Sequence, residues 1–109
     1  MKRQQYIDDI KKVLKSTVPD AEVILYGSEA RGDAKANSDI DLLILVDRDK
    51  LDYQEEKRIT EPLYALELKD TCSVSISPLV MTRKAWYDRP VKTPFYIISM
   101  KLFNLHTDE

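Results

Sequence analysis

Cysteine, histidine and long apolar runs are nearly missing from this sequence, and each shortage removes a class of protein. Cys72 is the single cysteine, so no internal disulfide can form. With no histidine or basic residue beside it, Cys72 reads as buried and inert. No stretch approaches the roughly 20 apolar residues of a membrane span. The chain also passes from Met1–Gln5 straight into an amphipathic pattern, with no apolar signal-peptide core. The expected location is therefore the cytoplasm, with no membrane partner. His106, the one histidine, falls in the last turn of the final predicted helix and reads as a helix-end residue rather than a catalyst. An excess of either charge is absent too: 17 basic against 19 acidic residues leave a net charge of −2. Duplex-binding domains need a basic excess, because phosphate contacts dominate their affinity. No extended nucleic-acid surface is expected, and a polyanionic ligand has to be reached locally, through a metal or a few placed cations. Repeats, low-complexity runs and Gly/Ser linkers are missing as well.

What remains is a chain of 109 residues, 43% apolar and 33% charged. That is enough for one core and too little for two, so residues 1–109 are expected to form one domain. Ile7, Ile10, Leu14 and Val18 recur at helical spacing over residues 3–18, and Pro19-Asp20 breaks that helix. Glu22 to Tyr26 reads as a short buried strand ending at Gly27, and Asp39 to Val46 as a second strand closed by Asp47-Arg48-Asp49. Residues 51–69 read as a helix with Leu51, Ile59, Leu63 and Leu66 on one side and Pro62 interrupting it. Residues 73–80 read as a third strand. Val74 and Ile76 face one way in it, Ser75 and Ser77 the other, and Pro78 argues for an edge or a bulge. Thr82 is placed to cap a short helix carrying Trp86, and Thr93-Pro94 to start a last helix with Phe95, Ile98, Leu102 and Leu105 as its stripe. The order helix, strand, strand, helix, strand, helix describes an α/β fold (α+β, two layers): a small sheet with helices packed mainly on one face.

The chemistry concentrates between residues 27 and 41. Gly27-Ser28 follows a strand, where a glycine lets backbone approach a ligand and Ser28 and nearby amides can bond phosphate oxygens. Asp39 and Asp41 are two apart in a strand, so both side chains leave the same face. Two such carboxylates repel unless a cation sits between them, and a hard divalent ion shared with phosphates meets that need. A lone Asp-x-Asp or a lone Gly-Ser is usually a turn. The combination is more specific: Gly-Ser, ten intervening residues, then Asp-x-Asp opening an apolar strand.

In that wording the sequence resembles the minimal nucleotidyltransferases, small relatives of the DNA polymerase β superfamily. Ala30-Arg31-Gly32 matches the family as well, and the likeness runs through Val74–Trp86 and Thr93-Pro94-Phe95. The resemblance implies a nucleotidyltransferase fold with a small mixed sheet. It implies Gly27 and Ser28 on the triphosphate, and Asp39 and Asp41 as catalytic residues and magnesium ligands. It also implies transfer of a nucleoside monophosphate, AMP from ATP, to a hydroxyl acceptor with release of pyrophosphate. Family members are commonly antitoxins that modify a small helical HEPN toxin, which makes such a protein the expected partner.

Active relatives often add a third carboxylate from the next core strand. Counted back from Trp86, that position here is Ser75, and Val74, Ile76 and Ser77 supply no acid either. Two readings stay open: transfer with two aspartates or with a borrowed carboxylate, and an inactive fold relative that works as a protein-interaction antitoxin or adaptor. An antibiotic-modifying transferase is a third and weaker reading, since such enzymes need a further substrate domain. Arg31 belongs either to the triphosphate site or to a solvated turn. Lys35 reads as solvated, Glu29 and Asp33 as capping groups, and Tyr26 as core. Trp86, Tyr87, Phe95 and Tyr96 form an aromatic cluster that either closes the core or meets a partner or a second copy, as in a homodimer.

Overall fold

Helix α1 (Arg3–Thr17) buries Tyr6, Ile7, Ile10 and Leu14 as one stripe, with Val18 just beyond its end. The chain leaves the helix through bonds from the Val18 N–H to Leu14 O and the Ala21 N–H to Val18 O, at the Pro19-Asp20 break. The computed structural model describes residues 3–27, 32, 35, 38–69, 75–88, 100–103 and 105. Strands β1 (Glu22–Tyr26) and β2 (Ile40–Val46) follow, then helix α2 (Tyr53–Lys69), strand β3 (Ile76–Thr82), the short helix α3 (Arg83–Tyr87) and strand β4 (Met100–Phe103).

Helix α2 starts where Asp52 Oδ1 accepts the Glu55 N–H at 2.8 Å, with Glu55 and Glu56 in the first turn where the helix dipole favours acids. Pro62 lies inside this helix without dividing it. Its missing N–H forfeits one helical bond, and the buried stripe of Ile59, Leu63 and Leu66 on both sides of it keeps the helix whole. Thr82 caps α3, its Oγ1 accepting the Ala85 N–H at 3.1 Å, and Trp86 is buried, so of the two readings it takes the core one.

The sheet is mixed, in the order β3-β2-β1-β4. β2 runs parallel to β3, while β1 runs antiparallel to both β2 and β4. Pro78 thus stands in the outer strand of the described sheet, where a missing N–H is tolerated. One face carries the main core: Val23, Leu25, Ile40, Leu42, Ile44, Val46, Ile76 and Val80 pack against the stripes of α1 and α2. The other face holds a smaller cluster of Ile24, Leu43, Leu45 and Trp86, with Tyr26 and Met81 against it. Both long helices therefore lie on one side, and among the described residues only the short α3 reaches the other. Among the described residues no helix is long and apolar enough to cross a membrane.

The end of the chain departs from the sequence reading. Met100–Phe103 is a strand, where the spacing of Phe95, Ile98, Leu102 and Leu105 predicts a helix. The cause lies in β1. Its three central residues are buried, so its second edge cannot be left to water, and pairing Val23 with Phe103 through Tyr26 with Met100 satisfies it. A short apolar run fits either period, and the tertiary need for a partner decides. Leu105 is nonetheless buried, in the helix-side core. Thr93, Pro94, Phe95, Tyr96 and Ile98 lie outside the described residues, as do Ser73 and Val74 at the expected start of the third strand.

Candidate active site

The start of β2 is delivered by a turn. The Lys35 N–H donates to Ser38 Oγ at 2.9 Å, and the Ser38 N–H donates to Lys35 O at 3.0 Å. Asp39 follows, exposed and one residue before the strand; Asp41 is the strand's second residue and is half-buried. Strand alternation sends Ile40 and Leu42 into the helix-side core, so Asp39 and Asp41 share the opposite face with Leu43 and Leu45. At the rise of a strand their Cα atoms are about 6.6 Å apart, a spacing from which two carboxylates can reach one cation.

β1 brings Gly27 to the same place. Tyr26 is paired with Asp41, and Gly27 turns away from the strand end at φ 71°. A Cβ on Gly27 would lie 2.5 Å from Asp41 Oδ2, far inside contact distance. Glycine is therefore required twice here, once for the backbone angle and once for the room taken by the carboxylate.

β3 forms the third side. The Ile40 N–H donates to Ser75 O at 2.8 Å, and the register runs Ile40 to Ile76 and Asp41 to Ser77. Ser75 and Ser77 are exposed on the face of the two aspartates. No third His, Cys, Asp or Glu gathers with them among the described residues. Of the residues singled out from the sequence, Gly27, Asp39 and Asp41 are thus brought together, and Lys35 is exposed nearby. Ser28, Glu29, Arg31, Asp33, Cys72 and His106 lie outside the described residues. Tyr26 packs against the smaller cluster beside the site.

The model of the nucleotidyltransferase domain matches residues 7–92, which runs from within α1 through α3 and includes Gly27, Asp39 and Asp41. The chain belongs to the nucleotidyltransferase domain family. The "Putative protein adenylyltransferase MJ0141" of Methanocaldococcus jannaschii is 34% identical over 92 residues, covering 84% of this chain and 82% of its own. Two solved structures share the fold. A toxin–antitoxin crystal structure with AMP-PNP has a TM-score of 0.51 at 24% identity, over 88% of this chain and 70% of that one. Spectinomycin adenyltransferase AAD(9) from Enterococcus faecialis, with ATP and spectinomycin, has a TM-score of 0.62 at 20% identity. That match takes in 84% of this chain and only 38% of the longer enzyme.

Two features escaped the sequence reading. Glu67, in the last turn of α2, accepts the Ile76 N–H at the start of β3. Tyr87 donates its hydroxyl proton to Glu22 Oε1 at 2.7 Å and so ties α3 to β1. An acid in a final helical turn and a tyrosine after a buried tryptophan are the local signals, but only the fold names their partners. A cavity of about 470 Å³ bounded by Asp49, Lys50, Leu51, Met81, Thr82 and Ala85 opens at the other end of β2 and β3, away from the aspartates.

Proposed function

We propose that this nucleotidyltransferase is a magnesium-dependent protein adenylyltransferase, moving AMP from ATP to a hydroxyl on a small helical HEPN-type toxin and thereby acting as its antitoxin. The observation that carries the reading is the juxtaposition of Asp39, Asp41 and the Gly27 turn on the face of the sheet that the long helices leave open. The name of the archaeal relative supports a protein acceptor, and the toxin–antitoxin neighbour supports a toxin as that acceptor.

The donor set fits a hard divalent ion: two carboxylates on one face, one of them exposed, with room kept beside the other. Asp39 and Asp41 would hold it together with triphosphate oxygens, while the backbone at Gly27 and the hydroxyl of Ser28 bind the phosphate chain and Arg31 offers a cation. Magnesium bound there supplies charge neutralisation on the phosphates and orientation of the α-phosphate. The acceptor oxygen attacks the α-phosphorus, the α–β anhydride bond breaks, and pyrophosphate leaves with the bonding pair. With serine at 75 and 77, the acceptor's proton passes to water or to a group that the acceptor brings. Catalysis in this site is positioning and electrostatics rather than strong base chemistry.

The test is label transfer in a lysate of the cells that make the protein, with magnesium and ATP labelled at either the α- or the γ-phosphate. The proposal expects α-label, and no γ-label, on a protein band, lost in Asp39→Asn/Asp41→Asn. Transfer of γ-label would instead show phosphorylation. Transfer of neither would favour a second reading, an inactive relative that acts by contact. Serine at position 75, where active relatives often carry an acid, supports that reading, as do Leu79, 45% exposed on the aspartate side of β3, and the exposed Tyr87.

A further inference from the structure

We infer that Glu67 is a positioning residue for the Asp39–Asp41 pair, acting through the first residues of β3. The inference rests on the reading of that pair as a metal–nucleotide site. Glu67 belongs to α2, whose apolar stripe packs on the face opposite the two aspartates. Its carboxylate accepts the Ile76 N–H. One residue earlier, Ser75 O accepts the Ile40 N–H at 2.8 Å. Ile40 is the residue between the aspartates. Two hydrogen bonds in series thus connect the Glu67 side chain to the backbone that carries both carboxylates.

The alternation of a parallel ladder explains why this tie is needed. Since Ser75 O points at β2, the Ile76 N–H points away from it, to the outer edge of β3, where the described sheet has no further strand. The next outward residue is Pro78, which has no N–H to offer. Glu67 therefore anchors the beginning of β3 from outside while β2 anchors it from inside. Asp39 itself is exposed and precedes the first paired residue, Ile40. The Ile40 N–H belongs to the peptide plane that follows Asp39, so the bond to Ser75 O holds the backbone from which the Asp39 side chain leaves. Supporting groups of this kind orient ligands without touching the metal.

The experiment compares wild type with Glu67→Ala and Glu67→Gln, by amide hydrogen exchange in the ligand-free protein and by magnesium-dependent ATP binding. Glutamine keeps a carbonyl oxygen that can accept the Ile76 N–H. In Glu67→Ala, exchange at Ile40 is expected to rise about tenfold while Leu43 and Ile44 stay within about twofold. Affinity for ATP with magnesium is expected to fall about tenfold, and Glu67→Gln to restore both. Should the alanine variant fail to fold, Glu67→Asp, one methylene too short to reach, stands in for it. Unchanged exchange at Ile40 in the alanine variant overturns the inference. So does a glutamine variant that binds as poorly as alanine with normal Ile40 exchange, because then the charge itself acts. A wild type that binds no nucleotide sinks the metal–nucleotide reading instead, and Ile40 exchange alone then decides whether Glu67 sets this backbone.

Discussion

Gly27 and Gly32 both take positive φ, at 71° and 81°, but among the described residues only Gly27 has a neighbour in the space where a side chain would go. The two residues therefore separate backbone strain from site geometry. Gly32→Ala is expected to cost about 1 kcal/mol of backbone strain, measured by urea denaturation, and to leave the aspartates where they are. Gly27→Ala carries that strain plus displacement of Asp41 Oδ2, and is expected to cost about 2–3 kcal/mol and to weaken magnesium-dependent ATP binding at least tenfold. Equal losses in the two variants would mean that the contact with Asp41 has no consequence. At this scale the sequence is informative wherever the rule is local. Asp39 and Asp41 share a face because strands alternate, and Gly27 precedes a turn because glycine permits it. The Gly27–Asp41 approach and the Glu67–Ile76 bond were not legible, because each depends on which strand lies beside which.

Short helix α3 shows what an element needs beyond its own propensity. Five residues cannot hold a helix in water. The Thr82 cap, the burial of Trp86 and the Tyr87–Glu22 bond hold this one to the sheet. Glu22 accepts a hydrogen bond from the Tyr87 hydroxyl, and this, ahead of burial and the nearby negative charge, raises the phenol above its ordinary 10.0; Arg83 opposes the shift. The folded protein thus holds that proton more firmly than the unfolded chain. The bond's stabilisation is full below pH 10.0 and fades as pH climbs through the raised value. Tyr87→Phe is expected to be less stable than wild type by about 1 kcal/mol or less near neutral pH, since the residue is half exposed, with the gap closing in alkali. A gap that widens in alkali would contradict the assignment. Other elements were readable to different degrees. α1, β1, β2 and α2 follow their apolar periods closely, and the Thr82 cap announces α3. β4 did not announce itself, since four residues carry too little pattern to compete with the helical spacing that runs through them.

For the molecule as a whole, the division of the two sheet faces governs what it can do. α1 and α2 spend their apolar stripes on one face. The opposite face keeps apolar cover at the α3 end and leaves two aspartates at the other, beside serines and a glycine turn. A stable fold and an open, charged edge thus coexist in a chain of 109 residues. Fold class was legible, and Gly27, Asp39 and Asp41 could be picked out as candidates, because the apolar strands and the Gly-Ser, Asp-x-Asp spacing are both compressed into residues 22–46. The acceptor was not, because nothing in the pattern of one domain encodes the shape of another protein. Calorimetric titration of ATP with magnesium into the wild-type protein and into Asp39→Asn/Asp41→Asn tests the central claim most directly. Binding is expected to require magnesium and to disappear in the double variant, with the variant still folded. Binding that survives the loss of both carboxylates, or a folded wild type that binds nothing, would contradict that claim.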